Sequence, residues 1–172
     1  MTIEIQPSRS EDRAAIAAID GSFLVTEELD LSLSGGVPGY SVRPVTPYRK
    51  TYPSADGQPR AKGRTLVALI DGEIAGLVRL SENWNRFALI EDLRVDTGFR
   101  RRGLGTALIG AAIDWAKARG LPGVMLETQN NNVTACRLYQ GQGFVLAGFD
   151  ANLYRGLDPA SREVALFWYL VF

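Results

Sequence analysis

Arg100-Arg101-Arg102-Gly103-Leu104-Gly105 lies between a strand-like run at 87–96 and an amphipathic pattern that predicts a helix from Gly103 onward. Glycines allow a sharp turn and let a ligand approach the backbone amides. The start of a helix offers unpaired N–H groups and the positive end of a dipole, which suit phosphate. Arginine adds charge and fork-shaped donors that match phosphate oxygens. The hexamer therefore predicts a site for a phosphorylated ligand, with a solvated basic turn as the alternative.

Two well-known phosphate-binding loops do not fit this stretch. A Walker-type loop requires Gly-Lys-Ser/Thr, whereas Gly105 is followed by Thr106-Ala107. A dinucleotide fingerprint requires a third glycine near position 108, which is Leu108, and an early strand–turn–helix unit. The sequence therefore predicts neither ATP on a P-loop nor NAD on a Rossmann unit.

Length and composition predict one folded domain spanning residues 1–172. A chain of 172 residues with 46% apolar content can bury a sizeable core. Its 19 basic and 19 acidic residues cancel, which argues against nucleic acid as a partner. Because three basic residues are concentrated at 100–102, we expect a local anion site instead.

The chain contains no histidine and a single cysteine, Cys136. The lack of histidine removes the usual general base and most catalytic zinc sites, so we expect no metal. A single cysteine cannot form an intrachain disulfide. Without a signal-peptide pattern or a bilayer-spanning apolar stretch, we expect a soluble, cytoplasmic protein with no membrane partner, either a monomer or a homodimer.

Local patterns predict a mixed α/β fold. The predicted elements, in chain order, are strand 2–6, helix 10–21, hairpin arms 29–33 and 40–46, strands 64–70, 73–81 and 87–96, helix 103–120, strand 124–128, helix 132–142, and strands 144–154 and 164–172. Ser10 is the expected N-cap of the first helix. Asp71-Gly72 is a strong hairpin signal. Residues 47–63 are predicted to form a long surface loop, which we expect to close over the ligand-binding site.

The helix from Gly103 has the most regular pattern. Its expected buried face has apolar residues at spacings of 4, 3, 4 and 3, namely Leu104, Leu108, Ala111, Trp115 and Ala118. Gly120 and Pro122 end it. Together the elements predict a sheet with a parallel βαβ unit at its centre, antiparallel arms and flanking helices.

Two motifs in this order resemble the GNAT superfamily of acetyl-CoA-dependent N-acetyltransferases. The pattern Gln/Arg-x-x-Gly-x-Gly/Ala is matched by Arg100, Gly103 and Gly105. The pattern Asn-x-x-Ala-x-x-x-Tyr followed by Gly-Phe is matched by Asn132, Ala135, Tyr139 and Gly143-Phe144. The resemblance implies the GNAT fold, in which a mixed, mostly antiparallel sheet surrounds a parallel βαβ core, and acetyl-CoA as cofactor.

A narrower resemblance, to streptothricin (nourseothricin) acetyltransferases, extends over nearly the whole chain. The stretches that carry it are Ile19-Asp20-Gly21-Ser22-Phe23, Pro47-Tyr48-Arg49-Lys50, Trp84-Asn85, residues 126–133 with Ala135-Cys136, and Phe167-Trp168-Tyr169. It implies transfer of acetyl to a primary amine of a small cationic antibiotic. The alternatives are acetylation of a polyamine, amino acid or protein amine, or a non-catalytic acyl-CoA sensor.

The resemblance implies cofactor-binding roles for several residues. The backbone amides of 100–105 would hold the CoA pyrophosphate, with Arg100, Arg101, Arg102, Gly103, Leu104, Gly105 and Thr106 as its contacts. The main chain near Leu93 and Val95 would bind pantetheine, and an amide there would polarise the thioester carbonyl. Asn132 would cap the following helix, bind the cofactor, or do both.

The resemblance also implies catalytic roles. Tyr139 matches the tyrosine that protonates the departing CoA thiolate, with a core tyrosine as the alternative. Glu91 is the expected base acting through water. If its strand has no bulge, Glu91 shares parity with Leu89 and Leu93 and points to an apolar face, where burial raises the pKa of a carboxylate. Glu127 is the second candidate base or a ligand of the cationic substrate.

The remaining candidate residues concern a covalent route and the acceptor. Cys136 would be the nucleophile of an acetyl-cysteine mechanism, but nothing in the sequence activates it, so we expect direct transfer in a ternary complex. Acidic and aromatic groups suit a cationic acceptor, and the candidates, each with a solvated surface as alternative, are Asp20, Glu27, Glu28, Asp30, Tyr48 and Trp84, together with Glu127.

Overall fold

The computed structural model describes residues 2–52 and 63–172. They form two compact units, one made of Met1–Phe23, Thr51–Val124 and Val171–Phe172 and the other of Leu24–Lys50 and Met125–Leu170. The prediction of a single domain over 1–172 stays a prediction.

The described residues form strands, α-helices and short 3-10 turns. In chain order they are β1 (Ile3–Pro7), a 3-10 turn (Ser10–Asp12), α1 (Arg13–Ala18), β2 (Phe23–Ser34), β3 (Val37–Lys50), β4 (Arg64–Ile70), β5 (Glu73–Glu82), β6 (Ala88–Val95), a 3-10 turn (Thr97–Phe99), α2 (Leu104–Ala118), β7 (Gly123–Gln129), α3 (Val133–Gly141), β8 (Val145–Asp150), a 3-10 turn (Leu153–Gly156) and β9 (Ala165–Val171).

The first unit contains an antiparallel sheet with the strand order β1-β4-β5-β6. The turn between β4 and β5 has positive φ angles at Asp71 (51°) and Gly72 (86°), as a two-residue hairpin turn requires. The hairpin predicted from Asp71-Gly72 is therefore confirmed. Val67, Leu77 and Ile19 form a buried apolar cluster of this unit.

Helix α2 is confirmed, but its buried face differs from the predicted one. The buried residues are Leu104, Leu108, Ile109, Ala112 and Ala116. Ala118 is exposed, and Trp115 is half-buried with the Arg119 guanidinium 4.8 Å from its ring centre. The predicted face was wrong in its second half because Ala112 and Ala116, rather than Ala111 and Trp115, continue the row from Leu108 at spacings of four.

The second unit combines a long β2–β3 hairpin with β7, β9, β8 and α3. Gly35 (φ 58°) and Gly36 (φ 80°) make the tight turn of the hairpin. Strands β8 and β9 pair antiparallel. The apolar interior of this unit includes Val25, Leu29, Leu126, Leu166 and Trp168.

Two predicted boundaries in the first half of the chain are wrong. Ser10 begins a 3-10 turn instead of capping a helix, and the carboxylate of Asp12 accepts a hydrogen bond from the Arg9 amide at 2.8 Å. Residues 47–50 belong to β3, and the rest of the predicted 47–63 loop lies largely outside the described residues, which omit 53–62. No helix in the described ranges 2–52 and 63–172 is both long and apolar enough to cross a bilayer.

Gly76 marks a close approach of β5 to β6. A Cβ atom at Gly76 would lie 2.7 Å from the Arg94 carbonyl oxygen and 3.3 Å from Leu108 Cδ1. Real Cβ atoms do not approach backbone oxygen this closely, so a side chain here would force β5, β6 and α2 to shift. The position therefore requires glycine for steric reasons.

We predict that Gly76→Ala lowers the free energy of unfolding by roughly 1–3 kcal/mol, as overpacking of a dense core does. Gly110→Ala is the matched control, because nothing lies within 4 Å of a Cβ atom there and alanine in a helix interior stabilises by about 0.5–1 kcal/mol. Urea unfolding of both variants measures the difference. Equal stabilities for the two variants would contradict this account of the β5–β6 approach.

Candidate active site

The start of α2 has the backbone geometry that the sequence analysis predicted for Arg100–Gly105. Gly103 is the N-cap residue with φ 87°, and Arg101 also has a positive φ of 63°. The first backbone bond of the helix runs from the Ala107 amide to the Gly103 carbonyl at 3.0 Å. The amides of the first turn, which lie before Ala107, therefore have no acceptor within the helix, and they form the donor set that an anion needs.

The arginines of this turn differ in their contacts. Arg100 is half-buried, and its Nε donates to the Val95 carbonyl at 3.2 Å. Arg102 donates to the Gly98 carbonyl at 3.4 Å, and its guanidinium lies 5.4 Å from the centre of the Phe99 ring. Arg101 and Arg102 are exposed. The fold thus brings these charges together beside the helix start, while their role in cofactor binding stays a prediction.

Asp20, a predicted substrate ligand, belongs to the scaffold of this turn. Its carboxylate accepts hydrogen bonds from the Ser22 amide at 2.9 Å and from the Thr97 hydroxyl at 3.3 Å. Hydrogen bonds from the Ser22 backbone and side chain lower the pKa of Asp20. Asp96 adds a second link, because its carboxylate accepts from the amides of Asp20 and Gly98, both at 2.9 Å.

Strand β6 contains a bulge at Glu91. Opposite β5, Arg79 pairs with Asp92 and Leu80 pairs with Ile90, so Glu91 is the extra residue. Glu91 was predicted to point to an apolar face on the assumption that its strand has no bulge, and that assumption is wrong. The buried residues of β6 are Ala88 and Ile90.

The Glu91 carboxylate is nevertheless held in place. Glu91 is half-buried, and the Ser81 hydroxyl donates to its Oε1 at 2.5 Å. The neighbouring Asp92 forms an ion pair with Arg94 at 2.9 Å and lies 3.7 Å from Arg79. Leu93 and Val95 are both half-buried, and the Val95 carbonyl receives the hydrogen bond of Arg100.

In the second unit, α3 carries the other motif residues. The Asn132 side chain caps the helix by accepting from the Ala135 amide at 3.2 Å, as predicted. Tyr139 is only 6% exposed, and its ring lies 6.0 Å from that of Phe144 and 6.3 Å from that of Trp168. Burial raises the pKa of Cys136 to about 12, which disfavours the thiolate that a covalent mechanism requires.

Glu127 is paired with a residue that the sequence analysis did not select, Tyr154. The Tyr154 hydroxyl donates to Oε1 of Glu127. Burial raises the pKa of Glu127, and the negative charge of Glu163 raises it further. Tyr154 was expected at the end of a strand, but β8 ends at Asp150 and Tyr154 lies in a 3-10 turn. No local signal indicates the pairing, because the two residues lie 27 positions apart.

The same unit contains a cleft of about 950 Å³. Its polar and aromatic lining includes Glu28, Asp30, Arg43, Tyr48, Lys50, Tyr154, Asp158, Arg162 and Glu163. Arg43 binds both Glu28 (2.7 Å) and Asp30 (2.8 Å). The cleft therefore offers both hydrogen-bonding groups and net negative charge to a bound molecule.

Asn130 connects the segments that surround this cleft. Its carbonyl accepts from the Leu29 amide at 2.9 Å, and its side-chain Nδ2 donates to the Leu29 carbonyl at 3.2 Å. Its amide donates to the Val164 carbonyl and its Oδ1 accepts from the Val164 amide, both at 3.0 Å. Next to it, Asn131 Nδ2 donates to Glu163 at 2.8 Å and to the Tyr48 hydroxyl at 3.0 Å.

Two further substrate-binding candidates have surface positions. Glu27 forms an ion pair with Arg137 at 3.0 Å, whereas its neighbour Glu28 lines the cleft. Trp84 is 90% exposed in the turn between β5 and β6. Among residues 2–52 and 63–172, no three His, Cys, Asp or Glu side chains are grouped so that they could hold a metal ion.

These features can be compared with known proteins. Residues 36–144, more than half of the chain, match the Acetyltransferase (GNAT) family. The chain therefore belongs to the GNAT family of acetyltransferases, and the predicted enzyme class is confirmed.

Particular members of the family are similar over almost the whole chain. The chain is 38% identical to a streptothricin acetyltransferase of Escherichia coli, over 98% of this chain and 95% of that protein. It is also similar to a Bacillus anthracis str. Ames protein assigned as a streptothricin acetyltransferase and solved with acetyl coenzyme A (TM-score 0.91, 41% identity, 99% and 100% of the two chains). A nourseothricin acetyltransferase structure gives a TM-score of 0.86 at 33% identity, over 99% of each chain. These matches confirm the predicted fold class, a mixed, mostly antiparallel sheet with one parallel pair.

We predict that Cys136 resists thiol reagents in the folded protein. With a pKa of about 12, only about one molecule in 10⁴ carries the thiolate at pH 8, and the side chain is buried. Ellman's reagent should therefore react at the rate of unfolding, with rapid reaction in urea as the control. Stoichiometric labelling within seconds under native conditions would contradict the buried, protonated thiol.

Proposed function

We propose that this protein transfers acetyl from acetyl-CoA to a primary amine of streptothricin and thereby gives resistance to the antibiotic. The observation that carries the proposal is similarity over nearly the entire chain to a protein named for this activity, at 38% identity. The acetyl-CoA bound to the similar Bacillus anthracis protein supports the choice of cofactor. We further propose that the reaction takes place in the cytoplasm.

The proposed cofactor site is the turn before α2. The amides of residues 103–106 would bind the pyrophosphate, and exposed Arg101 and Arg102 would pair with phosphate oxygens. The main chain at Leu93 and Val95 would bind pantetheine, and Asn132 would add a contact besides its capping bond. The left-handed backbone at Arg101 and Gly103 supports this proposal, because it directs consecutive amides toward one anion.

The cleft of the second unit is the proposed site for the acceptor. Streptothricin carries a polycationic β-lysine arm, and Glu28, Asp30, Asp158 and Glu163 line the cleft with carboxylates. Tyr48 and Tyr154 add hydroxyl groups and aromatic faces that suit an amine. Glu127 is proposed to act at the same site, and Asp20, Glu27 and Trp84 stay candidate substrate contacts.

The proposed chemistry is direct attack of the amine on the thioester. An ammonium group has no lone pair, so one proton must leave before the nitrogen attacks, and a carboxylate is the proposed acceptor. Glu91 and Glu127 are the two candidates. Tyr139 is proposed to protonate the CoA thiolate as the tetrahedral intermediate collapses. A raised thiol pKa at Cys136 supports direct transfer over an acetyl-cysteine intermediate.

Acetyl-CoA consumption measured with a panel of amines tests the proposed function. We expect kcat/KM for streptothricin to exceed that for aminoglycosides, spermidine, free amino acids and peptides by at least about 100-fold, a discrimination of roughly 3 kcal/mol. A preference for another amine would replace the proposed substrate. Binding of acetyl-CoA without turnover of any amine would favour an acyl-CoA sensor.

For Tyr139→Phe we predict a fall in kcat of about 10²–10⁴-fold, the usual contribution of a general acid. The dissociation constant for acetyl-CoA, measured by calorimetry, should change less than about threefold because the ring and its packing remain. Tyr40→Phe is the matched control, since the Tyr40 hydroxyl is bound to the Gln140 side chain at 2.9 Å. Full activity in Tyr139→Phe would remove Tyr139 as the acid.

A further inference from the structure

Tyr154 and Glu127 form a half-buried hydrogen-bonded pair at the wall of the proposed acceptor cleft. Tyr154 lines the cleft, and its hydroxyl donates to the Glu127 carboxylate on β7. The cleft wall therefore presents a tyrosine hydroxyl whose proton is already directed at a carboxylate. Because Tyr154 lines the cleft, a group bound there can approach that hydroxyl oxygen, which also accepts a hydrogen bond from the Gln129 side chain.

The surroundings raise the pKa of both groups, which favours a protonated Tyr154 and a more basic Glu127 carboxylate. Burial is the largest influence on both groups, raising the pKa of Glu127 and that of Tyr154. The negative charge of Glu163 raises both further, while the hydrogen bond from Tyr154 lowers the pKa of Glu127 and a bond from Gln129 lowers that of Tyr154. Glu163 is itself held by Lys50 and Asn131. Burial and the charge of Glu163 therefore make the Glu127 carboxylate more basic than an exposed glutamate.

We propose that Tyr154 and Glu127 act together as the proton acceptor for the substrate amine, with Tyr154 touching the amine and Glu127 receiving the proton. This inference deepens the proposed function and rests on the cleft being the acceptor site. It selects Glu127 over Glu91 and assigns Tyr154 a catalytic role. Glu91, whose carboxylate accepts from the Ser81 hydroxyl, then has a structural role in the β6 bulge.

The proposed step is balanced in protons and charge. One N–H bond of the substrate ammonium breaks, its electron pair stays on nitrogen, and the proton passes to the Tyr154 oxygen. The Tyr154 O–H proton passes at the same time to Oε1 of Glu127, so the phenol is neutral before and after. The positive ammonium and the negative carboxylate both become neutral, which a half-buried site favours. The free amine then attacks the thioester, and Glu127 returns its proton to water.

The tyrosine hydroxyl at Tyr48 does not offer the same relay. Its oxygen accepts from Asn131 Nδ2 at 3.0 Å and its hydroxyl donates to Glu28 Oε1 at 3.3 Å, on the exposed part of the hairpin. Glu28 is also bound by Arg43 at 2.7 Å, and an arginine partner stabilises its ionised form. The pair of Tyr154 with Glu127 instead combines a half-buried carboxylate, whose pKa burial raises, with a neutral phenol.

The test is the pH profile of kcat/KM for whichever amine the wild-type enzyme acetylates, compared among wild type, Tyr154→Phe, Glu127→Gln, Glu91→Gln and the Tyr40→Phe control. A base is active when deprotonated, so wild-type activity rises with pH through the pKa of Glu127, above its ordinary value of 4.5. Glu127→Gln should lose this acidic limb and about 10²–10³-fold in kcat/KM. Tyr154→Phe should lose about 10–100-fold in kcat and shift the limb to higher pH, because the hydrogen bond that lowers the Glu127 pKa is gone.

Some outcomes would overturn the relay while leaving the proposed function intact. One is an acidic limb of the pH profile that does not move in Tyr154→Phe. Another is loss of that acidic limb in Glu91→Gln but not in Glu127→Gln. The third is a Tyr154→Phe variant in which KM changes and kcat does not. Failure of wild type to acetylate streptothricin would instead overturn the proposed substrate, and the profile is then measured with the preferred amine. Should Tyr154→Phe fold poorly, ¹³C-NMR titration of the Glu127 carboxyl in wild type and Tyr154→Ser gives the same readout.

Discussion

The cleft of the second unit depends on one buried residue, Asn130, which binds through both its main chain and its side chain. It makes paired hydrogen bonds to the main chain of Leu29 and again to the main chain of Val164. An amide side chain carries both a donor and an acceptor. It can therefore bind the carbonyl of one segment and the amide of another, although these two segments do not pair as strands. These bonds set the spacing between β2 and the segment before β9, and the bonds of Lys50 and Asn131 to Glu163 add to them.

The absence of histidine directs the chemistry toward carboxylates and tyrosines. Both residue types ionise far from neutral pH in water, so they become useful for proton transfer only where burial and neighbouring charges change their pKa values. Glu127 and Tyr154 meet these conditions. The Glu127 carboxylate is partly removed from water, the Glu163 carboxylate raises its pKa further, and the Tyr154 phenol donates a hydrogen bond to Glu127. In the proposed relay, this pair provides the group that takes the proton from the amine.

The features that could be predicted from sequence are those determined by residues close to one another in the chain. The Asp71-Gly72 turn, the glycine start of α2 and the Asn132 cap each depend on residues within three or four positions of one another, and all three are confirmed. The β6 bulge could not be predicted, because it depends on register against β5 and on no property of Glu91 itself. The partners of Glu127 and Lys50 lie 27 and 113 positions away. Such pairs are set by tertiary structure, and a single sequence contains no signal for them.

The division of the chain into two compact units also has a consequence for the evolution of the protein. Among the described residues, those that line the cleft belong to 28–50 or 130–164, whereas the turn at 100–105 and its Asp20–Asp96 scaffold belong to the other unit. Substitutions in the hairpin or in the segment before β9 can therefore alter this cleft, the proposed acceptor site, without replacing any residue of the helix start or its scaffold. A mutant library restricted to the cleft-lining positions within 28–50 and 149–164 would therefore vary the cleft while Asn132, Tyr139 and the turn at 100–105 keep their residues.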